Sequence, residues 1–221
     1  GRLFARHVDN VLFSYRMAAG HHPDHKYKTP DVTYTPHELK SCALCLKSIN
    51  FDMSFTSFLN REFPSVANIG LIRNGYAVCE GLVRRGWQVA KAARMYRKYA
   101  QRIIRDSKRF ARYKIVKFED VVRDPFSFQG ELFRFIGVEP RHLPHLRLKS
   151  KRTINSDLLH AVKFGRPEKH YWFDQASIAR ILDPNVNDYQ IVRLSPAQKK
   201  TISDIAAPVM DQFGYLQQSK K

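Results

Sequence analysis

Short apolar runs alternate along the chain with longer amphipathic stretches, which is the pattern of an α/β domain. Three runs, residues 41–46, 67–72 and 113–118, have the length and composition of strands buried in a parallel sheet. A helix is predicted between the first two runs, over residues 53–63. We therefore expect a three-layer α/β/α fold with a parallel sheet between the helical layers.

The longest amphipathic stretch lies between the second and third predicted strands. From Val89 to Ile103 apolar residues recur at steps of three and four, and lysines and arginines such as Lys91 and Arg105 occupy the other face. This spacing predicts a crossover helix with one buried face and one basic face. Such a basic face is most often only solvated, although it could attract an acidic acceptor or another polyanion.

Local signals predict further helices in the second half of the chain. Residues 126–136 form an amphipathic segment that Gly137 closes, and residues 195–198 are a capping box with proline at the first helical position. The last helix is expected to end near Gly214 and to bend at Pro208, because proline removes one backbone hydrogen bond. The polar segment over residues 20–36 is interpreted as a loop.

Length and charge narrow the possible functions. The chain has 221 residues, which suits one domain with a substantial core. Lys and Arg outnumber Asp and Glu by 38 to 20, and the formal net charge of +18 favours an anionic ligand. Nucleic acid, acidic membrane, sulfated glycan and nucleotide all have the required sign. The charge alone therefore does not identify the ligand.

The number of cysteines and the hydropathy bear on the location of the protein and on metal binding. Three cysteines are too few for a disulfide framework, so a reducing, cytoplasmic location is predicted. Cys42 and Cys45 are interpreted as buried apolar residues, and no metal site is predicted. No apolar run is long enough to span a bilayer. The sequence begins without Met, so an upstream targeting segment or membrane anchor stays open.

Charged residues follow each predicted strand. Lys47 comes after the first run, Arg73 after the second and Glu119 near the end of the third. Ligands bind beyond the carboxyl ends of the strands in sheets of this kind. Two cations at neighbouring strand ends would form an anion site, to which the helix opening near Tyr76 would add backbone N–H groups. Phosphate or sulfate would fit there.

The segment over residues 71–81 resembles the motif with which sulfotransferases bind the 3′-phosphate of their donor, 3′-phosphoadenosine 5′-phosphosulfate (PAPS). Arg73 matches the arginine of that motif, and Gly81 stands where the family has a serine. Further similarities lie at residues 58–64, 113–125, 133–138 and 213–215. The chain is identified on these motifs as similar to bacterial and tyrosylprotein sulfotransferases, which implies a P-loop NTPase-like fold.

The resemblance also implies roles for particular residues. Phe118 occupies the place of the aromatic residue that lies against the adenine, and Gly81 is left with only its backbone as a phosphate ligand. Lys47 matches the catalytic lysine of tyrosylprotein sulfotransferases. The implied reaction moves a sulfuryl group from PAPS to a hydroxyl or amine of a small molecule, glycan or peptide, without a metal and without a nucleic-acid partner. The general base and the oligomeric state are not assigned.

The family's 5′-phosphosulfate loop is absent from the sequence. Residues 1–9 resemble the helix that directly follows that loop. We therefore expect residues 1–221 to be a single sulfotransferase domain without its first strand and loop, and we expect this polypeptide alone to bind PAPS poorly.

Two other functions are compatible with the same features. The first is a non-catalytic module that binds polyanions through its basic surface, and the second is a P-loop kinase that uses Mg²⁺ and ATP. An arginine at a strand end is usually solvated or ion-paired, and an aromatic residue in a strand is usually part of the core. The roles of Arg73 and Phe118 therefore depend on the surrounding motifs.

Overall fold

The structure, a computed structural model, describes residues 6–8, 10–11, 13–14, 35–41, 45–47, 50–139, 144–149, 152–154, 160–162, 166 and 170–216. The chain divides into two compact units, Gly1–Val66 and Ala67–Lys221. The single domain expected from the sequence stays a prediction. Within the described residues, none of the helices combines the length and the apolar character needed to cross a membrane.

The described part of the first unit is helical and irregular. Residues 6–8, 10–11 and 13–14 are helical. They are followed by helix α1 (Pro36–Ser41), a 3-10 turn (Asn50–Phe55) and helix α2 (Thr56–Glu62). The helix predicted over residues 53–63 is therefore confirmed from Thr56 onward, and the residues before it form the tighter 3-10 turn. Most of the predicted loop over residues 20–36 lies outside the described residues, and Pro36 already belongs to α1.

The strand predicted over residues 41–46 is contradicted at Ser41 and at residues 45–46, and residues 42–44 lie outside the part of the chain that the structure describes. Ser41 is the last residue of α1, and residues 45–47 are irregular and exposed. A capping box that the apolar pattern does not reveal starts the helix that includes Ser41: Thr35 Oγ1 accepts from the Glu38 amide at 3.2 Å, and Glu38 Oε2 accepts from the Thr35 amide at 2.8 Å. Cys45 is exposed rather than buried. Cys42 lies outside the described residues.

The second unit contains a parallel pair of strands, β1 (Asn68–Ile72) and β2 (Tyr113–Lys117), whose register runs from Asn68 opposite Tyr113 to Ile72 opposite Lys117. This confirms the second and third predicted strands and their parallel pairing. Burial differs from the expectation, because β1 buries Gly70 and Ile72 while Ile69 and Leu71 are exposed. Only one face of β1 therefore contributes to the core.

Two helices connect the strands: α3 (Gly75–Val83) and α4 (Val89–Arg109). Helix α4 confirms the predicted crossover helix, with buried residues at Ala92, Ala93, Tyr96, Ala100, Ile103 and Asp106. It packs on α3 and on the last helix of the chain. Gly75 permits the close approach of α3, since a Cβ atom there would lie 2.8 Å from the Tyr96 ring.

After β2 the chain turns directly into α5 (Phe118–Arg123), and α6 (Pro125–Ile136) follows. Phe118 is therefore the first residue of a helix and not the last of the strand. Acidic residues in the first turn, Glu119 and Asp120, favour a helix start there because they complement its dipole. Gly137 closes α6 in the left-handed conformation (φ 79°), as predicted.

The remaining elements are short, apart from the last helix. Strands β3 (Leu146–Lys149) and β6 (His170–Phe173) form one antiparallel pair, and β4 (Arg152–Ile154) and β5 (His160–Val162) form another. Helices α7 (Gln175–Ile178), α8 (Val186–Ile191) and α9 (Pro196–Gln212) follow.

The last helix confirms most of its sequence signals. Ser195 and Gln198 form the predicted capping box, and the helix ends at Gln212, two residues before Gly214. Pro208 lies inside α9, and a bend there stays a prediction. The core of the unit forms where Ile202, Ala206, Val209 and Met210 of α9 meet α4. The structure is thus a mixed helix and strand fold with a parallel pair of strands, and the three-layer arrangement stays a prediction.

Candidate functional site

The ends of the two parallel strands bring Arg73 and Phe118 together. Arg73 is the first residue after β1, and Phe118 is the first after β2. The guanidinium carbon of Arg73 lies 4.4 Å from the centre of the Phe118 ring. This distance is within the range of a cation–π contact, which contributes about 0.5–2 kcal/mol. Two of the three residues that the resemblance assigns to donor binding are therefore neighbours.

Two side-chain amides of α8 hold the Arg73 guanidinium. Arg73 Nε donates to Asn187 Oδ1 at 2.8 Å, and an Nη group of Arg73 donates to Gln190 Oε1. The Tyr96 hydroxyl also donates to the Arg73 backbone carbonyl at 3.1 Å. Burial lowers the pKa of Arg73, and the charges of Glu119, Glu80 and Tyr215 oppose that change. The guanidinium is thus oriented and partly desolvated.

Two carboxylates, Glu119 and Glu80, are connected to Arg73 through these two amides. Asn187 Nδ2 donates to Glu119 Oε1, and Gln190 Nε2 donates to Glu80 Oε2 at 3.0 Å. Among the residues that the structure describes, Arg73 has no carboxylate within 4.0 Å. The burial of a charged group is usually offset by a direct ion pair. Because the Arg73 guanidinium is partly buried without one, it is available to bind another anion.

Glu80 and Glu119 each have other partners. Buried Glu80 accepts from Arg84 Nε at 3.2 Å and lies 3.7 Å from Arg193. Glu119 accepts from the Asn74 amide at 2.9 Å and from the Tyr215 hydroxyl at 2.8 Å. These bonds keep both carboxylates back from the guanidinium.

The start of α3 differs from the sequence expectation. The Tyr76 amide, expected to face an anion, donates instead to Asn74 Oδ1 at 2.9 Å. Asn74 is the N-cap of α3, and its side chain satisfies one of the donors that a helix start leaves unpaired. The Tyr76 amide is therefore occupied within the chain, and the case for an anion site depends on Arg73.

Gly81 shares a neighbour with Arg73. It lies in α3, and a Cβ atom built there would be 3.8 Å from Gln190 Nε2, which is an ordinary contact distance. The space next to Gly81 would therefore accept a small side chain. Lys47 belongs to the other compact unit, where it is exposed in an irregular segment. Its catalytic role stays a prediction.

Sequence reasoning missed the two amides that orient the arginine. Asn187 and Gln190 lie 114 and 117 residues after Arg73. Their spacing of three places them on the same face of α8, but the sequence gives no sign of what that face contacts. Among the described residues, no group of three or more His, Cys, Asp or Glu side chains is arranged to hold a metal ion.

Comparison with known proteins gives one distant similarity. No protein-family model matches the chain, and no curated protein matches it. Among solved structures, the sulfotransferase domain of the Synechococcus PCC 7002 olefin synthase resembles it with a TM-score of 0.40 and 18% sequence identity. The match covers 71% of this chain and 63% of that domain. A similarity this distant carries no argument about function.

Proposed function

We propose that this protein is a PAPS-dependent sulfotransferase that binds the adenosine 3′-phosphate of its donor with Arg73 and the adenine with Phe118. The proposal is supported by the likeness of residues 71–81 to the 3′-phosphate motif and by the contact between Arg73 and Phe118. Under this proposal the parallel pair of strands belongs to a three-layer, P-loop-type sheet.

The observation that carries the proposal is the environment of the Arg73 charge. Its two hydrogen bonds go to neutral amide oxygens, and they use two of the five N–H donors of a guanidinium. Arginine binds phosphate through paired, charge-assisted hydrogen bonds, which are about twice as strong as neutral ones. An arginine oriented by amides and not neutralised by a carboxylate is suited to that task.

In the proposed reaction an oxygen or nitrogen of the acceptor forms a bond to sulfur while the bond from sulfur to the 5′-phosphate oxygen breaks. The acceptor loses its proton, and 3′-phosphoadenosine 5′-phosphate leaves with the bond's electron pair. Such transfers depend mainly on positioning and on electrostatic stabilisation. Arg73 binds the far end of the donor in this scheme and is a binding residue. The role that the resemblance implies for Lys47 is a separate prediction.

The test is whether Arg73 recognises the 3′-phosphate. We expect the chain to bind 3′-phosphoadenosine 5′-phosphate more tightly than 5′-AMP, which lacks only that phosphate, in titration calorimetry. Arg73→Ala should remove most of this preference, roughly 100-fold, because charge-assisted hydrogen bonds contribute about 1.5–3 kcal/mol each. Arg134→Ala removes an exposed arginine of α6 and is the matched control for net charge.

Two results would contradict the proposal. One is an Arg73→Ala variant that still distinguishes the two nucleotides as the unchanged protein does. The other is Mg²⁺-dependent binding of ATP in preference to 3′-phosphoadenosine 5′-phosphate, which would favour a kinase.

A further inference from the structure

The solvent face of α4 carries a straight line of cations. Its exposed side chains include Lys91, Arg94, Lys98, Arg105 and Lys108, which we call the basic ridge. Their steps of three, four, seven and three residues keep them on one side of the helix, and exposed Gln101 fills the gap. At 1.5 Å per residue the basic ridge is roughly 26 Å long.

No acidic residue is interspersed in this helix surface. The helix contains one carboxylate, Asp106, which is 1% exposed and accepts from Arg102 Nε at 2.7 Å. Alternating charges stabilise an exposed helix face, whereas like charges at helical spacing repel by about 0.2–0.5 kcal/mol per pair. Arg105 is the exception, since its Nε lies 3.8 Å from Asp106 Oδ1. The other ridge cations have no carboxylate of α4 to offset the repulsion, and this favours an external anion.

A shallow, open depression beside Trp87, which we call the Trp87 pocket, lies at the beginning of the basic ridge. It has a volume of about 440 Å³ and is lined by Arg85, Gly86, Trp87, Gln88 and Lys91. The Lys91 ammonium lies 5.0 Å from the centre of the Trp87 ring. An indole face can stack on the C–H face of a sugar ring, and the surrounding cations and the Gln88 amide can bind sulfate or carboxylate groups.

We propose that the basic ridge and the Trp87 pocket form a binding surface for a linear anionic polysaccharide. The regular spacing and length of the ridge suit an extended chain with repeated negative charges. Trp87 at one end would hold one sugar unit. This surface does not depend on the proposed donor site, because Tyr96, which contacts the Arg73 carbonyl, lies on the buried side of α4.

Two other polyanionic partners suit the surface less well. A membrane-surface helix presents an apolar face beside its cations, whereas the apolar face of α4 is buried in the core. Single-stranded nucleic acid is usually bound by a succession of aromatic side chains on which bases stack. Trp87 lies at one end of the basic ridge and the Tyr99 ring lies 6.0 Å from the Lys98 ammonium, so these two rings are separated by roughly three turns of α4 and do not form a succession.

The experiment measures binding of a heparin decasaccharide by calorimetry at several salt concentrations. The ridge variant changes four exposed cations of α4 to glutamine: Lys91, Arg94, Lys98 and Lys108. The control variant changes four exposed cations elsewhere to glutamine: Arg123, Arg134, Arg180 and Lys200. Both lower the formal net charge of +18 by the same amount.

We expect the ridge variant to bind heparin roughly tenfold or more weakly than the unchanged protein and with a smaller salt dependence. The affinity of the control variant should stay within about threefold of that of the unchanged protein.

A fluorescence measurement locates the sugar. The chain has two tryptophans, so Trp172→Phe leaves Trp87 as the only indole. We expect heparin to change the fluorescence emission of Trp87 in this variant. Equal weakening of the ridge and control variants, or an emission unchanged at saturation, would overturn the proposal. So would tighter binding of a 20-nucleotide DNA strand or of phosphatidylserine vesicles than of heparin. These readouts involve no donor nucleotide, so they can fail while the proposed transferase function holds.

Discussion

The Tyr215 hydroxyl donates a 2.8 Å hydrogen bond to Glu119 Oε2 and thereby joins the segment after α9 to the start of α5. The other oxygen of the same carboxylate accepts from the Asn74 amide and from Asn187 Nδ2. Three separate segments of the chain therefore meet at Glu119. Since Asn187 also accepts from Arg73, the carboxylate indirectly fixes the direction of the guanidinium.

Replacing Tyr215 by phenylalanine should destabilise the protein. Tyr215 is 5% exposed, and its loss leaves Glu119 Oε2 without its donor. A missing hydrogen bond to a partly buried carboxylate costs about 1–3 kcal/mol in the free energy of unfolding. Urea unfolding followed by circular dichroism measures the change. Tyr189→Phe removes a hydroxyl from a side chain that is 56% exposed and should change stability by less than about 0.5 kcal/mol. Equal effects would show that the Tyr215 bond contributes nothing.

The neutrality of Gln190 can be tested by a change of charge at constant size. Gln190→Glu would place a carboxylate on the Arg73 guanidinium and form the ion pair that the native site lacks. It would also replace the hydrogen bond from Gln190 Nε2 to Glu80 by a contact between two carboxylates, so the stability of the variant is checked by urea unfolding. We expect the preference for 3′-phosphoadenosine 5′-phosphate over 5′-AMP to fall roughly tenfold, because the cation is then neutralised.

The matched control is Gln190→Met, which removes the amide without adding charge. It should keep the nucleotide preference, since it leaves an Arg73 N–H group available to the phosphate. Calorimetry at pH 8 measures both variants. A Gln190→Glu protein with undiminished preference would mean that Arg73 does not bind the phosphate.

Gly81→Ser should strengthen nucleotide binding. The sulfotransferase motif that residues 71–81 resemble has serine at this position, and a Cβ atom would lie 3.8 Å from Gln190 Nε2, which is an ordinary contact distance. We expect affinity for 3′-phosphoadenosine 5′-phosphate to rise roughly three- to tenfold, by one hydrogen bond to a charged group. The control is Gly130→Ser in α6, where the nearest atom, Arg134 Nη1, is also 3.8 Å away. Both variants gain helix propensity, by a few tenths of a kcal/mol. A similar affinity in both would refute a phosphate contact at Gly81.

Some of this arrangement could be predicted from the sequence because local rules determine it. Residues 68–72 and 113–117 are apolar strands joined by a helical crossover, so their carboxyl ends meet at one edge. That rule places Arg73 and Phe118 at the same edge of the strand pair. The apolar run over residues 41–46 satisfies the same strand pattern, yet its first residue belongs to a helix. The Thr35–Glu38 capping box, which starts that helix, is the local signal that predicts it.

The partners of Arg73 could not be predicted in this way. Asn187 and Gln190 belong to a six-residue polar helix, and nothing in its sequence distinguishes it from a solvated turn. Their contact with Arg73 arises from tertiary packing over more than a hundred residues. Local propensity and hydrophobic period contain no information about such contacts.

Cys79 provides a test of burial that is independent of function. Its side chain in α3 is fully buried, and this burial raises the pKa of the thiol from 9.0 to about 12. Burial likewise raises the pKa of Tyr113 from 10.0 to about 12. Both groups resist ionisation in the folded protein because the charged form would lose its hydration.

The free energy of unfolding should therefore fall as the pH rises above about 9. Below that value the thiol is protonated in both states and adds no pH dependence. Between pH 9 and 10 the unfolded thiol loses its proton while the folded one keeps it, so the folded state binds more protons. Stability then decreases by up to about 1.4 kcal/mol per pH unit. Urea unfolding at several pH values should show a smaller slope for Cys79→Ala, whereas Cys45→Ala, at an exposed cysteine, should keep the original slope. Identical slopes in all three proteins would mean that the Cys79 thiol ionises as readily in the folded state as in the unfolded one.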